Sequence, residues 1–157
     1  MPRPILPRHV APPSSRFAHG IVHSGRARRL VIAGQVGMRV DGSVPADLDG
    51  QLDCIWDNIA AILTEAGMGL TDLLRITAFC TVQGGVGAYR AARDRRLGGH
   101  LVAATYVEVA GLADPRFLVE IEGEAICEEP DLAFLELPQE DANIQDDLSE
   151  IARADAP

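Results

Sequence analysis

The chain has 157 residues, 47% hydrophobic and 24% charged, which is enough for one globular domain with a core of its own. Its net charge of −9 is unevenly placed, with 13 acids against 13 bases in residues 1–127 and 10 acids against one arginine in 128–157. A balanced body with an acidic end offers phosphate no basic patch and excludes a nucleic-acid partner. No apolar run approaches the roughly 18 residues of a membrane span, and the start lacks the apolar core of a signal peptide, so a cytoplasmic protein away from membranes is expected. All 14 basic residues are arginine, which removes Schiff-base chemistry on a protein lysine. His9, His19, His23 and His100 show no ligand spacing, and Cys54, Cys80 and Cys127 are too far apart for a paired site. No metal is therefore expected. The cysteines read as buried thiols, with Cys80 alone kept as a possible site residue.

In chain order, residues 1–15 are rich in proline and serine and read as an extended or mobile extension. Phe17 to His23 reads as a strand, followed by a tight turn around Gly25. Leu30 to Val36 is a short, almost wholly apolar strand of the buried kind, in which Gly34 and Gly37 mark a close backbone approach or a pocket wall. Apolar residues then recur at helical spacing from about 48 to 66, with Asp47 or Asp49 as cap and Gly67 at the left-handed end. Trp56 falls off that stripe and is assigned to an interface. Arg75 to Val82 alternates as a half-buried strand, and Val86 to Leu97 forms a second helix with its arginines on the surface. Val102 to Ala125 reads as two strands joined by a short turn. In the second of these Glu120, Glu122 and Glu124 share one face, either a buried face carrying an acid or base or a solvated stripe.

Helices falling between strands, with hairpins at both ends, predict an α+β fold in which two helices cover one face of a mixed sheet. The other face then needs a partner, and a second copy of the chain is the economical one. In the tail, residues 128–157, a short amphipathic helix through Ile144, Leu148 and Ile151 and partial disorder are the two readings.

Three separated blocks, LVIAGQVG, DGSVPADLDGQLDCIWDNIAAILTEAGMGLTDLLRITAFCT and AATYVEVAGLADPRFLVEIEGEAI, together resemble the Rid (YjgF) family of imine and enamine deaminases in order and spacing. The resemblance runs from about Phe17 to Cys127, so residues 16–127 form the Rid-like domain. It implies a chorismate-mutase-like fold and a homotrimer whose three sheets pack into a central barrel, with clefts between subunits. It also implies cofactor-free hydrolysis of reactive imines to ketoacids and ammonia.

The family's working residues carry over only in part. Ala104 stands where the substrate-clamping arginine belongs, and a methyl group cannot replace paired charge-assisted hydrogen bonds. Ala33, Val86 and Phe17 replace a serine, an asparagine and a tyrosine. The glutamate that positions water is kept as Glu120. Tyr106, two residues past Ala104, is a candidate donor to a carbonyl or imine nitrogen, and Tyr89, three residues after Val86, is a candidate substrate-binding residue. His19 and His100 are candidate proton carriers, and Arg75 or Arg116 are candidate replacements for the lost clamp. Three functions fit: a hydrolase or tautomerase of a small enamine, imine or carbonyl intermediate that is larger and less polar than an amino-acid imine; a cyclase or dehydratase that shapes a reactive intermediate; and a noncatalytic trimer that binds a small molecule.

Overall fold

The protein is described by a computed structural model that covers residues 3–5, 7, 9, 13–23 and 26–128. Gly25 and the acidic tail beyond residue 128 lie outside the described residues. Arg3–Ile5 (β1) pairs antiparallel with Gly20–Val22 (β2), so the proline-rich start is tied back onto the chain. The strand expected from Phe17 is shorter because Phe17 N donates to Ser15 O at 3.0 Å and Ala18 N to Val102 O at 3.0 Å. These bonds dock residues 17 and 18 beside the second half of the chain.

Four strands make the main sheet: Ala27–Val36 (β3), Leu73–Cys80 (β4), Ala103–Glu108 (β5) and Val119–Glu128 (β6), in the order β3-β6-β4-β5. β4 and β5 are parallel and the other pairs antiparallel, so the sheet is mixed as expected. The hairpin expected between residues 102 and 125 is not formed, because β4 lies between β5 and β6. Parallel neighbours need a helical crossover, here Val86–Leu97 (α2), and residues 109–118 then carry the chain back across β4. That return is fixed by Gln51, a buried side chain the sequence reading passed over. Its Oε1 accepts from Leu118 N at 2.8 Å, and its Nε2 donates to Pro45 O at 2.9 Å and Arg116 O at 2.8 Å.

Both helices cover one face of the sheet. Leu48–Glu65 (α1) starts at Asp47, whose Oδ1 accepts from Gly50 N at 2.7 Å, and gives way to Gly67 at φ 64°. Its buried stripe runs through Leu52, Trp56, Ile59 and Leu63. Trp56 is thus 0% exposed, in the core of its own chain and not at an interface. The helix lies close against β3: a Cβ on Gly37 would sit 2.6 Å from Gln51 Cβ and 2.7 Å from Gln51 Cα. Backbone cannot yield as a side-chain tip does. Gly37→Ala is expected to cost about 1–3 kcal/mol of stability, read as a lower urea midpoint; an unchanged midpoint would show that this contact relaxes freely.

The two faces of the sheet differ sharply. Ile32, Ile76, Ala78, Val119, Ile121 and Ala125 face the helices and are buried. On the opposite face the register lines up Val31, Glu124, Arg75 and Ala103 in one row, and Val36, Glu120, Phe79 and Val107 in another. Val31 is 66% and Val107 40% exposed there. The apolar strand at 30–36 is therefore a sheet edge with one open face, and not a buried central strand. Its composition reflects a surface that a single chain leaves uncovered.

Candidate functional site

Five of the positions singled out in the sequence come together. Phe17, Val86, Tyr89, Ala104 and Tyr106 line one cleft of about 190 Å³ between α2 and the β5 edge, together with Ser15, Arg90, Arg93 and Thr105. Ala104 and Tyr106 reach it because they alternate onto the helix-covered face of β5, opposite Ile76 and Ala78. The rings of Tyr89 and Tyr106 are 5.2 Å apart and tilted by 34°. Tyr106 lines the cleft, and its Oη lies near Gly85: a Cβ on Gly85 would come 3.1 Å from that oxygen and 3.0 Å from Cys80 Sγ. Cys80 is fully buried and backs the cleft wall without lining it.

Burial is the main influence pushing both phenols above their ordinary pKa of 10.0, with Cys80 and Glu108 adding to the effect at Tyr106 and Arg93 opposing it at Tyr89. These are the only two tyrosines in the chain. A group whose folded pKa is raised favours the fold below its unfolded value, and that contribution is lost as pH rises through the folded value. Ultraviolet titration of the native protein should therefore show the tyrosines less than half ionised at pH 10.0. Ionisation should appear only at higher pH, with alkaline unfolding. Half-ionisation at pH 10.0 in the folded protein would contradict the burial of this pair.

The remaining candidates sit elsewhere. Glu120 is half-buried on the open face of β6, beside Phe79 and Val36, so it faces away from Tyr106 and does not meet it within one chain. Ala33 and Gly34 form an irregularity in β3 between Ile32 and Gln35, and the Glu120 carboxylate lies over Gly34, in the space a Cβ there would fill. Glu122 and Glu124 pair with Arg75, and Glu124 also with Arg29, whereas Glu120 has no ion pair among the described residues. His100 Nε2 lies 2.7 Å from Leu73 O, a structural contact away from the cleft. His19 packs edge-on against Phe17 at 5.9 Å without lining the cleft.

Neither arginine suggested as a replacement clamp reaches the cleft. Arg75 is held by the open-face glutamates, and Arg116 is engaged by Asp114 at 2.8 Å. Arg93, read as a surface residue, is 2% exposed and lines the cleft instead. Helical spacing does mark it, since it falls four residues after Tyr89 and four before Leu97 on the buried stripe of α2, but its charge suggested a solvated position.

A mixed four-stranded sheet covered on one face by two helices, with a small cleft at its parallel edge, defines the chorismate-mutase-like class of fold. Within that class the chain belongs to the Rid (YjgF) family: the family model described as Endoribonuclease L-PSP matches residues 9–127. Among solved structures it is similar to the Rid family protein YyfB from Yersinia pestis, 28% identical, covering 80% of this chain and 98% of that one with a TM-score of 0.71. RidA from a Psychrobacter species shares the fold at 21% identity, 80% and 99% coverage and a TM-score of 0.61. The RutC family protein YjgH of Escherichia coli is 38% identical over 52 residues, a stretch that spans 33% of this chain and 40% of YjgH.

Proposed function

We propose that this protein is a cofactor-independent enzyme that hydrolyses a small reactive enamine or imine in clefts between the subunits of a cytoplasmic homotrimer. The observation that carries this reading is the division of the candidate site. The cleft lies at the β5 edge on the helix side, whereas Glu120, Ala33 and Gly34 lie toward the β3 edge, with Glu120 on the open face. Head-to-tail association around a threefold axis sets the β3 edge of one chain beside the β5 edge of the next and closes into a ring. The same association covers the exposed Val31 and Val107.

In such a cleft Glu120 takes a proton from water as the oxygen adds to the C=N carbon, and the nitrogen gains a proton. The resulting carbinolamine loses ammonia as its C–N bond breaks, leaving a carbonyl product. An enamine enters the same path after protonation at carbon. Tyr106 and Phe17 serve as cleft walls that hold the apolar part of the substrate.

Two measurements test this. Light scattering should give about three times the chain mass of 16.8 kDa, and a monomer at micromolar concentration would remove the shared site. Ammonia release should be accelerated from imines generated in situ out of branched-chain amino acids by an amino-acid oxidase. A rate equal to spontaneous hydrolysis would refute the activity.

A further inference from the structure

The described part of the cleft lining contains two arginines, Arg90 and Arg93, and no carboxylate, in a chain of net charge −9. Arg93 is the buried one, and burying a guanidinium is costly unless its donors are used. Its Nε donates to Asp94 Oδ1 at 2.9 Å, and Nη2 lies 2.8 Å from the same oxygen without a hydrogen-bonding alignment. Of the five N–H donors of a guanidinium, those on Nη2 thus have no acceptor among the described residues. Tyr89 is 2% exposed, its Oη makes no well-aligned hydrogen bond among the described residues although Arg93 lies near enough to oppose the rise in its pKa, and Arg93 Cζ lies 5.7 Å from its ring centre. The family's clamp position, Ala104, opens onto this same space with only a methyl group.

Building on the intersubunit reading above, we propose that Arg93, delivered from α2, is the anion-recognising residue of the cleft and takes over the role of the guanidinium missing at position 104. The ligand it selects is a small carboxylate on an apolar body. The Nη2 N–H groups, ion-paired to Asp94 but without an aligned acceptor, and the Tyr89 hydroxyl offer donors to the carboxylate oxygens, and Arg90 adds positive charge at the rim. Phe17, Val86 and Ala104 offer nothing but apolar contact to the rest of the ligand. With about 190 Å³ available, the cleft is smaller than the ordinary drug-sized pocket and suits a short branched chain. Lysine is no substitute at this position, since a point charge does not give a planar fork.

The test is equilibrium titration of the full-length protein with 3-methylbutanoate and its neutral isostere 3-methylbutanamide, followed by calorimetry. The wild type should bind the acid about 10-fold or more tighter than the amide. Arg93→Met should weaken the acid about 10-fold and leave the amide unchanged, with Arg93→Lys recovering only part of the difference. Equal affinity for the two probes in the wild type, or acid binding unchanged in Arg93→Met, overturns the assignment. If Arg93→Met does not fold, Asp94→Asn decides, because releasing Nε and Nη2 from their internal partner should tighten the acid selectively by about 3-fold or more. Unchanged or weaker acid binding in that variant overturns the proposal. No turnover enters this readout. A protein that binds the acid through Arg93 yet leaves imines untouched refutes the hydrolytic reading alone, and one that hydrolyses imines without preferring the acid refutes only the role of Arg93.

Discussion

Replacing Glu120 by glutamine should lower imine hydrolysis by about 10²–10⁴-fold, the usual contribution of a positioned general base. Stability should scarcely move. Glutamine has the same shape, and Glu120 has no ion pair among the described residues for the change to break. Its neighbours Glu122 and Glu124 are different, since both are tied to arginines across the sheet. Glu122→Gln therefore makes a matched control, with a charge removed from the same strand face and activity expected within about threefold of wild type. A Glu120→Gln enzyme of normal rate would leave the proton without its carrier and remove the proposed chemistry.

The largest effect on stability is expected at the core of α1. Trp56→Ala should destabilise the protein by about 3–5 kcal/mol, the range for deleting a buried tryptophan side chain. A native domain holds about 5–15 kcal/mol in all, so the variant stands near the edge of folding. Trp56 is 0% exposed within a single chain, and its Nε1 has no hydrogen-bond partner among the described residues. Trp56→Phe removes that orphan N–H and keeps most of the ring, so it should recover most of the loss. Because this is the only tryptophan, unfolding has to be followed by circular dichroism, at one protein concentration throughout since the proposed assembly would contribute to stability. A loss under about 1 kcal/mol in Trp56→Ala would fit an exposed or interfacial tryptophan instead.

Most of the fold was legible because it is written in short periods. The alternation of residues 75–82 and 119–125 matches the observed strand faces, and Asp47 and Gly67 marked the ends of α1 by their local chemistry. Strand order was not legible in the same way. Alternation tells which way a side chain points but not which strand lies alongside, so β5 and β6 read as a hairpin although β4 separates them.

Two side chains were misplaced for a related reason. Trp56 follows Leu52 by four residues and precedes Ile59 by three, on the buried stripe, but a stripe drawn through Ile55 and Ile62 leaves it outside. Arg93 looked solvated because charged residues usually are. Its spacing of four residues from both Tyr89 and Leu97 puts it on the buried stripe of α2, where Ala104 leaves space and Tyr89 supplies a flat partner. The family pattern did group Phe17, Val86 and Ala104 in one cleft, and strand alternation added Tyr106, but the pattern also put Ala33 there, which the structure places on β3 away from it.

A site shared between chains has a numerical signature when two defective proteins are mixed. Glu120→Gln disables one half, and Ala104→Phe fills the other half at the β5 edge. Each protein alone should be inactive. After unfolding and refolding together in equal amounts, random trimers should recover about one quarter of wild-type ammonia release, because half of the contributing chains are sound on each side of every interface. A mixture no more active than either variant alone, from chains shown to have exchanged, would mean that Glu120 and the cleft do not meet across an interface.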